Sequence, residues 1–342
     1  MEEVSNVRPL AIFSGYMVTA AVLTAACISI IRGGLSRQQR QPWPQRKLAL
    51  TVFSLLAAFS LGMTWYHMFR FFGWSYNEWK ARQIPGLLDP DVVHLGRWLR
   101  ETKLFQQAWA TVLDSPSRSW WSLQIFGFCA NWSVMLADQE RRRGIPHLWL
   151  FMLLAQVVAV SFASNLFFLA VAAYSPDGRN DNGNEKGSAA GDEDDDDDGD
   201  SASSFWYDAV IIVTVSLALG VPAAVDQAHF LRLLLMPHLL GFAPLLLNRA
   251  LPKGSSSSTG PGWPRMATYT GAMATVVGFA TFAAVSEEVG ADLYWNLLHD
   301  HPAVSSVGWD VVCCTVSYSA WYLLHRNLRE WIKSTQGVRI ET

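Results

Sequence analysis

Separate blocks of apolar residues, each about the 20 residues needed to cross a hydrocarbon layer roughly 30 Å thick, recur along this chain and constrain its fold more than any other feature. They fall at 9–31, 48–69, 119–137, 147–174, 206–225, 230–247, 266–285 and 307–325. Backbone groups in lipid must find hydrogen bonds within their own segment, so each block is expected to be a helix. The expected fold is an all-α polytopic transmembrane bundle of about eight spanning helices.

Composition agrees. Of the 342 residues, 51% are hydrophobic and 16% charged, against about 25% charged in soluble domains. The formal charge of -3 leaves no basic face for nucleic acid. Cys27, Cys129, Cys313 and Cys314 all lie inside apolar blocks without ligand spacing, which favours buried packing over disulfides or zinc. The N-terminal residues are acidic where a signal peptide is basic, so the first block is expected to be retained as a span.

Two polar stretches organise the rest. Residues 175–204 are too charged to bury a core and are expected to form a disordered acidic linker between two halves, 1–174 and 205–342. Within the first half, 73–118 sets Asp91, Glu101 and Lys103 beside Leu95, Trp98, Leu99, Leu104 and Trp109, the pattern of an amphipathic segment lying on the membrane or roofing the bundle. Leu251–Pro264 reads as a second, flexible Gly/Ser/Pro linker.

Arginines in short loops orient the spans. Arg32, Arg37, Arg40, Arg46 and Lys47 follow the first block and Arg141, Arg142 and Arg143 the third, so both loops are expected on the cytosolic side, with the N-terminus and the acidic linker opposite. Eight crossings then put the basic tail, with Arg326, Arg329, Lys333 and Arg339, on the luminal side, against the same rule. A merged or re-entrant fifth and sixth block, around Gly220 and Pro222, is the expected resolution.

A charged group at the centre of a span costs roughly 2.5–3.5 kcal/mol on insertion scales, so polar residues there are the informative ones. Gln124, Asn131 and Asp138 recur every seven residues on one helical face, and Ser161, Ser164 and Asn165 share a face of the next block at i, i+3 and i+4; packing and bonding between helices is the plain expectation for these stripes, with Asp138 at a solvated helix end. In the last block Asp310, Cys314, Ser317 and Trp321 share a face, and Asp310 is either an acid or a residue favoured by its helix dipole. The preceding loop, with Glu287, Glu288, Asp292, His299, Asp300 and His301, is expected to be solvated, while Glu78 and Asp226 each stand beside aromatic residues. Most of the 16 tryptophans suit interfacial anchoring; Trp65 with Tyr66, Trp132 and Trp321 lie deeper, where a ring face stabilises a cation by about 2 kcal/mol when dry. No P-loop or dinucleotide glycine pattern is present, and the Asp-Asp-x-x-Asp within Asp192–Asp198 lies in low-complexity sequence with no helical frame for metal.

The passage SWWSLQIFGFCANWSVMLADQERRRGIPHLWLFMLLAQVVAVSFASNLFFLAV, and the later HPAVSSVGWDVV, resemble the small integral-membrane terpene cyclases of fungal meroterpenoid pathways, of the ascofuranone type. The resemblance implies an enzyme without metal, nucleotide or other cofactor, in the endoplasmic reticulum membrane, that protonates the epoxide of a prenylated aromatic polyketide and guides carbocation cyclisation. Such chemistry needs a carboxylic acid kept protonated by burial and rings facing the cation. By position, the candidate acids are Asp310, then Glu78 and Asp226; the candidate substrate-binding residues are Trp65, Tyr66, Asn131, Trp132, Asn165 and Trp321. The expected partners are a hydrophobic small molecule, the bilayer and neighbouring pathway enzymes. A proton-coupled transporter and a non-catalytic scaffold are the alternatives, since polar stripes also line paths or pack helices.

Overall fold

The computed structural model describes residues 7–37, 44–83, 94–174, 198–250 and 292–338, and the regular structure among them is entirely helical. Two helices are long and apolar enough to cross a membrane, α1 (Val7–Arg37) and α2 (Pro44–Ala81). Their charges sit near the ends: 48–69 of α2 is free of charge, and Arg70, Glu78 and Lys80 crowd its final turns. That helix therefore continues well past the expected end of the second block.

The expected amphipathic segment is a roof in three pieces rather than one surface helix. The extension of α2 meets two short helices, α3 (Leu95–Glu101) and α4 (Leu104–Thr111). Ser75 donates to Gln107 at 2.8 Å and accepts from the Trp98 indole at 3.3 Å, while the Trp79 indole donates to Glu101 at 2.9 Å. Arg97 pairs with the same carboxylate at 2.9 Å.

Helix α5 (Pro116–Arg143) has well-formed ends: the Ser115 hydroxyl accepts the Arg118 N–H, Pro116 fills the first helical position, and Gly144 stops the helix at φ 60°, a left-handed conformation in which glycine carries no side-chain penalty. The fourth expected block then divides into α6 (Trp149–Val157) and α7 (Val160–Ala173). No proline or glycine explains the break, which falls at Val158 and an extended Ala159.

The break turns the chain back. The Arg143 guanidinium, at the end of α5, donates to the carbonyls of Val171 at 3.1 Å and Tyr174 at 2.7 Å, so 144–174 leaves one end of the bundle and returns to it. Arg46 at the start of α2 reaches Ala173 O at 3.2 Å, and the Tyr174 hydroxyl reaches Ile30 O near the end of α1 at 3.3 Å, marking the same level. Midway along α5, Cys129 contacts α6, accepting from Gln156 at 3.2 Å. That is about 21 Å below Arg143 at 1.5 Å per residue.

Helix α8 (Asp198–Gly220) begins inside the expected linker, most of which lies outside the described residues. A 3-10 turn (Pro222–Ala224) leads to α9 (Phe230–Leu240) and α10 (Ala243–Ala250), which together form a third candidate span bent by 48°. Pro237 and Gly241 supply the usual causes of a kink. Helices α8 and α9–α10 thus pack against each other as a hairpin. Tyr207 bonds Asn248 across it, and Asn248 donates to Ala137 O of α5 at 2.7 Å. The expected seventh block, 266–285, and the 251–264 linker lie outside the described residues.

Finally α11 (Asp292–Asp300) leads into α12 (Pro302–Val338), which runs antiparallel along α2: His301 meets Phe71 at one end and Trp321 meets Phe53 toward the other. Helices α5 and α12 are as long as spans but too polar to qualify by hydropathy. Ser122 and Ser133 of α5 and Asp310 and Ser317 of α12 are buried, and α7 is enclosed by α1, α2, α5, α6 and α12.

Candidate functional site

Among the described residues helix α7 is the most deeply enclosed: every residue from Val160 to Val171 is buried. A helix start leaves backbone N–H groups without intrahelical partners, and enclosure denies them water. Asp310, itself only 8% exposed, supplies the acceptors from α12. Its Oδ2 accepts the Val160 N–H at 3.0 Å and its Oδ1 the Ser161 N–H at 2.8 Å. The dipole that favours this carboxyl is that of α7, a different helix from its own.

At the other end of α7 the arginines repeat the logic with opposite sign. Arg46 and Arg143 cover the carbonyls of Val171, Ala173 and Tyr174, so a helix without any charge of its own is met at both ends by charged groups of three others. Gly34 of α1 makes the closeness possible, because a Cβ there would stand 2.4 Å from the Tyr174 ring.

Farther along α7 and α12 from Asp310 lies a layer of rings and polar atoms. Two and three turns along α12, Tyr318 packs on Phe128 and Phe168, both at 5.5 Å, and Trp321 stacks on Phe168 at 4.8 Å. Trp132 meets Phe167 at 6.0 Å. Asn165 donates to Ser161 O at 2.9 Å, while its Oδ1, the Trp132 indole nitrogen and the Tyr318 hydroxyl are buried without a hydrogen-bond partner among the described residues. All four cysteines are buried, Cys129 and Cys314 beside this layer. Among the described residues, no three His, Cys, Asp or Glu side chains are grouped to hold a metal ion.

Of the expected site residues, the structure places Asp310 at the start of α7, Asn165 on that helix, and Trp132 and Trp321 against Phe167 and Phe168 farther along it. Asn131 lies nearby on α5, half-buried, with its amide donating to Gly127 O of its own helix at 3.1 Å. Gln124 likewise donates back to Trp120 O, so both satisfy a backbone carbonyl on α5 itself. The remaining candidates stand elsewhere. Glu78 is on the α2 extension, 45% exposed and paired with Arg82 at 3.6 Å. Asp226 is exposed beyond the 3-10 turn. Tyr66 is 58% exposed under Arg70, and Trp65 packs edge-on against Phe69.

Sequence reasoning missed a second cluster, at the opposite end of the bundle. Arg118 bonds Asp300 and Asp114, both at 2.7 Å, fastening α11 to the start of α5. His301, expected in a solvated loop, is 8% exposed, and its Nδ1 accepts the Ala303 N–H at 3.1 Å, which places the proton of the neutral ring on Nε2. The ring stands edge-on to Trp74 at 4.3 Å. Burial, then the nearby Arg118 charge, holds its pKa below the ordinary histidine range. On the roof, hydrogen bonds from Arg97 and Trp79 hold the Glu101 carboxyl below its usual value.

These features define an all-helical protein with helices suited to a bilayer. Comparison of the chain with family models, curated proteins and solved structures gives no match.

Proposed function

We propose that this protein is a multi-pass membrane terpene cyclase of the ascofuranone type, acting on a farnesyl-type prenylated aromatic polyketide. An acid gives its proton to the terminal epoxide oxygen, the C–O bond opens, and chain double bonds close rings on the cation. Loss of a carbon-bound proton, or capture by a substrate oxygen that then loses its proton, ends the cascade, so the product is an isomer. The observation that carries the reading is a buried carboxyl, Asp310, at the start of α7, with the rings of Trp132, Tyr318 and Trp321 packed on Phe167 and Phe168 farther along the same helix. Asp310 is the acid in this reading, because Glu78 is ion-paired and Asp226 exposed. Residence in the endoplasmic reticulum and the division into two halves around the acidic segment belong to the same proposal.

Microsomes containing the protein should convert an aryl substrate with a terminal epoxyfarnesyl chain into a cyclic isomer of unchanged mass. Asp310→Asn should lower turnover about 100-fold or more, the scale of general acid catalysis. Glu78→Gln and Asp226→Asn should retain it. Absence of cyclisation by the unaltered protein, or full turnover by Asp310→Asn, overturns the reading.

One observation favours a second reading, a non-catalytic membrane scaffold: both oxygens of Asp310 are engaged by backbone N–H groups, so capping α7 accounts for its presence. Under it, Asp310→Asn loses thermal stability and the unaltered protein shows no conversion.

A further inference from the structure

We propose that residues 144–174 form a re-entrant hairpin, entering and leaving on the cytosolic side, so that the chain crosses the membrane seven times with its N-terminus luminal and its C-terminus cytosolic. This holds whether or not the protein is a cyclase, since it rests on bonds and charges alone.

The hydrogen bonds fix which helix ends lie together. Arg143, Arg46, Tyr174 and Ile30 mark one end, where α5 and α1 finish, α2 starts and α7 finishes. Arg118, Asp300 and His301 mark the other, where α5 and α12 start. Because α7 finishes where α5 finishes, α6–α7 adds no crossing. The next half continues consistently: Tyr207 of α8 lies over Arg141 at 5.8 Å, and α10 returns to Ala137 and Glu140 through Asn248. Ala250 thus sits near the Arg143 end and Asp300 at the Arg118 end; the connection between them, which the proposal counts as one crossing, carries the apolar block at 266–285 of the sequence. Crossings by α1, α2, α5, α8, α9–α10, that connection and α12 make seven.

Two independent physical tests are met. Non-helical backbone at membrane depth is tolerated only where protein covers it, and the Val158–Ala159 break opens onto Asp310 with Ala159, Val160 and Ser161 all buried. Basic residues in short segments should be cytosolic. With seven crossings, Arg32–Lys47, Arg141–Arg143 and the Arg326–Arg339 tail all fall on one side, which removes the conflict that eight crossings create. The acidic tract Asp192–Asp198 then enters α8 from the cytosolic side, and 286–300 faces the lumen.

The test is labelling by a membrane-impermeant maleimide in sealed microsomes, whose outer face is cytosolic. Ser188→Cys should react in intact vesicles and Glu288→Cys only after permeabilisation. Protection of Ser188→Cys until permeabilisation, or reaction of both in intact vesicles, overturns the proposal. As a check independent of these substitutions, an N-glycosylation acceptor on a long Gly/Ser insert should be modified before Val7 but not after Val338; the reverse also overturns it.

Discussion

Helices α1 and α7 are both strongly apolar, α1 with its three arginines confined to its end turns and α7 without charge, yet they meet opposite surroundings. Along α1, Ile12, Val18 and Val22 are at least 60% exposed, as suits a helix facing lipid, and its own turns satisfy its backbone. Along α7 the side chains from Val160 to Val171 are all enclosed by protein, and both ends depend on groups from α2, α5 and α12. Apolarity says only that a segment avoids water. Whether it crosses the bilayer or turns back inside it is decided by where its unpaired backbone groups find partners.

If that contrast is right, substitutions should hurt α7 and spare α1. The largest effect is expected for Asp310→Ala, which leaves two buried N–H groups unpaired and should cost about 3 kcal/mol, read as a fall of several degrees in the detergent-solubilised melting temperature. Asp310→Asn, retaining one acceptor, should lie between. Gly34→Val drives a side chain into Tyr174 and should cost about 2 kcal/mol, the scale of overpacking, and weaken the junction of α1 with the end of α7. Arg143→Ala, removing the donor to two carbonyls, should cost about 1.5 kcal/mol, and Arg46→Ala about half as much. At the smallest end, Val22→Thr on the exposed face of α1 should stay within about 0.5 kcal/mol; a larger loss would show that α1 is packed rather than lipid-facing.

The Arg118 end sharpens the comparison through pH. Since His301 is held neutral by burial, the unfolded chain binds its proton more readily than the folded one. Stability from this group is therefore intact above the ordinary histidine pKa of about 6.5 and falls as pH drops below it. His301→Asn keeps an acceptor at the start of α12 but cannot titrate, and melting temperatures measured from pH 7 to pH 5 should fall less steeply for it than for the unaltered protein.

Much of the helical layout was legible in the sequence, because apolar blocks and their flanking charges are local signals. Seven of the eight blocks fall on described helices, and Ser115, Pro116 and Gly144 bound α5 by ordinary capping chemistry. The turn-back at Val158–Ala159 was not legible, since no proline, glycine or charge marks it. Its cause is Asp310, 150 residues from Val160 in the chain. A separation of 31 residues likewise hid Arg143 as a partner of Tyr174. The reverse error came at His301, where a polar neighbourhood suggested solvent while Trp74 and Phe71 cover the ring. Of the candidate site, Asp310, Trp132, Asn165 and Trp321 all lie on or against α7 because helical periodicity placed them inward; Glu78, Asp226 and Tyr66 had aromatic neighbours in sequence but no face turned to the centre.

The unbroken run of α2 has a mechanical consequence. Its 38 residues make a rod of about 57 Å, against roughly 30 Å of hydrocarbon, so about half of it stands outside the lipid. The roof of α3 and α4 is pinned to that projecting half through Ser75 and Trp79, while the embedded half lies along α12. Ser75 and Trp79 thus join the roof to the same rod that packs along α12, so the covering and the bundle share one continuous helix.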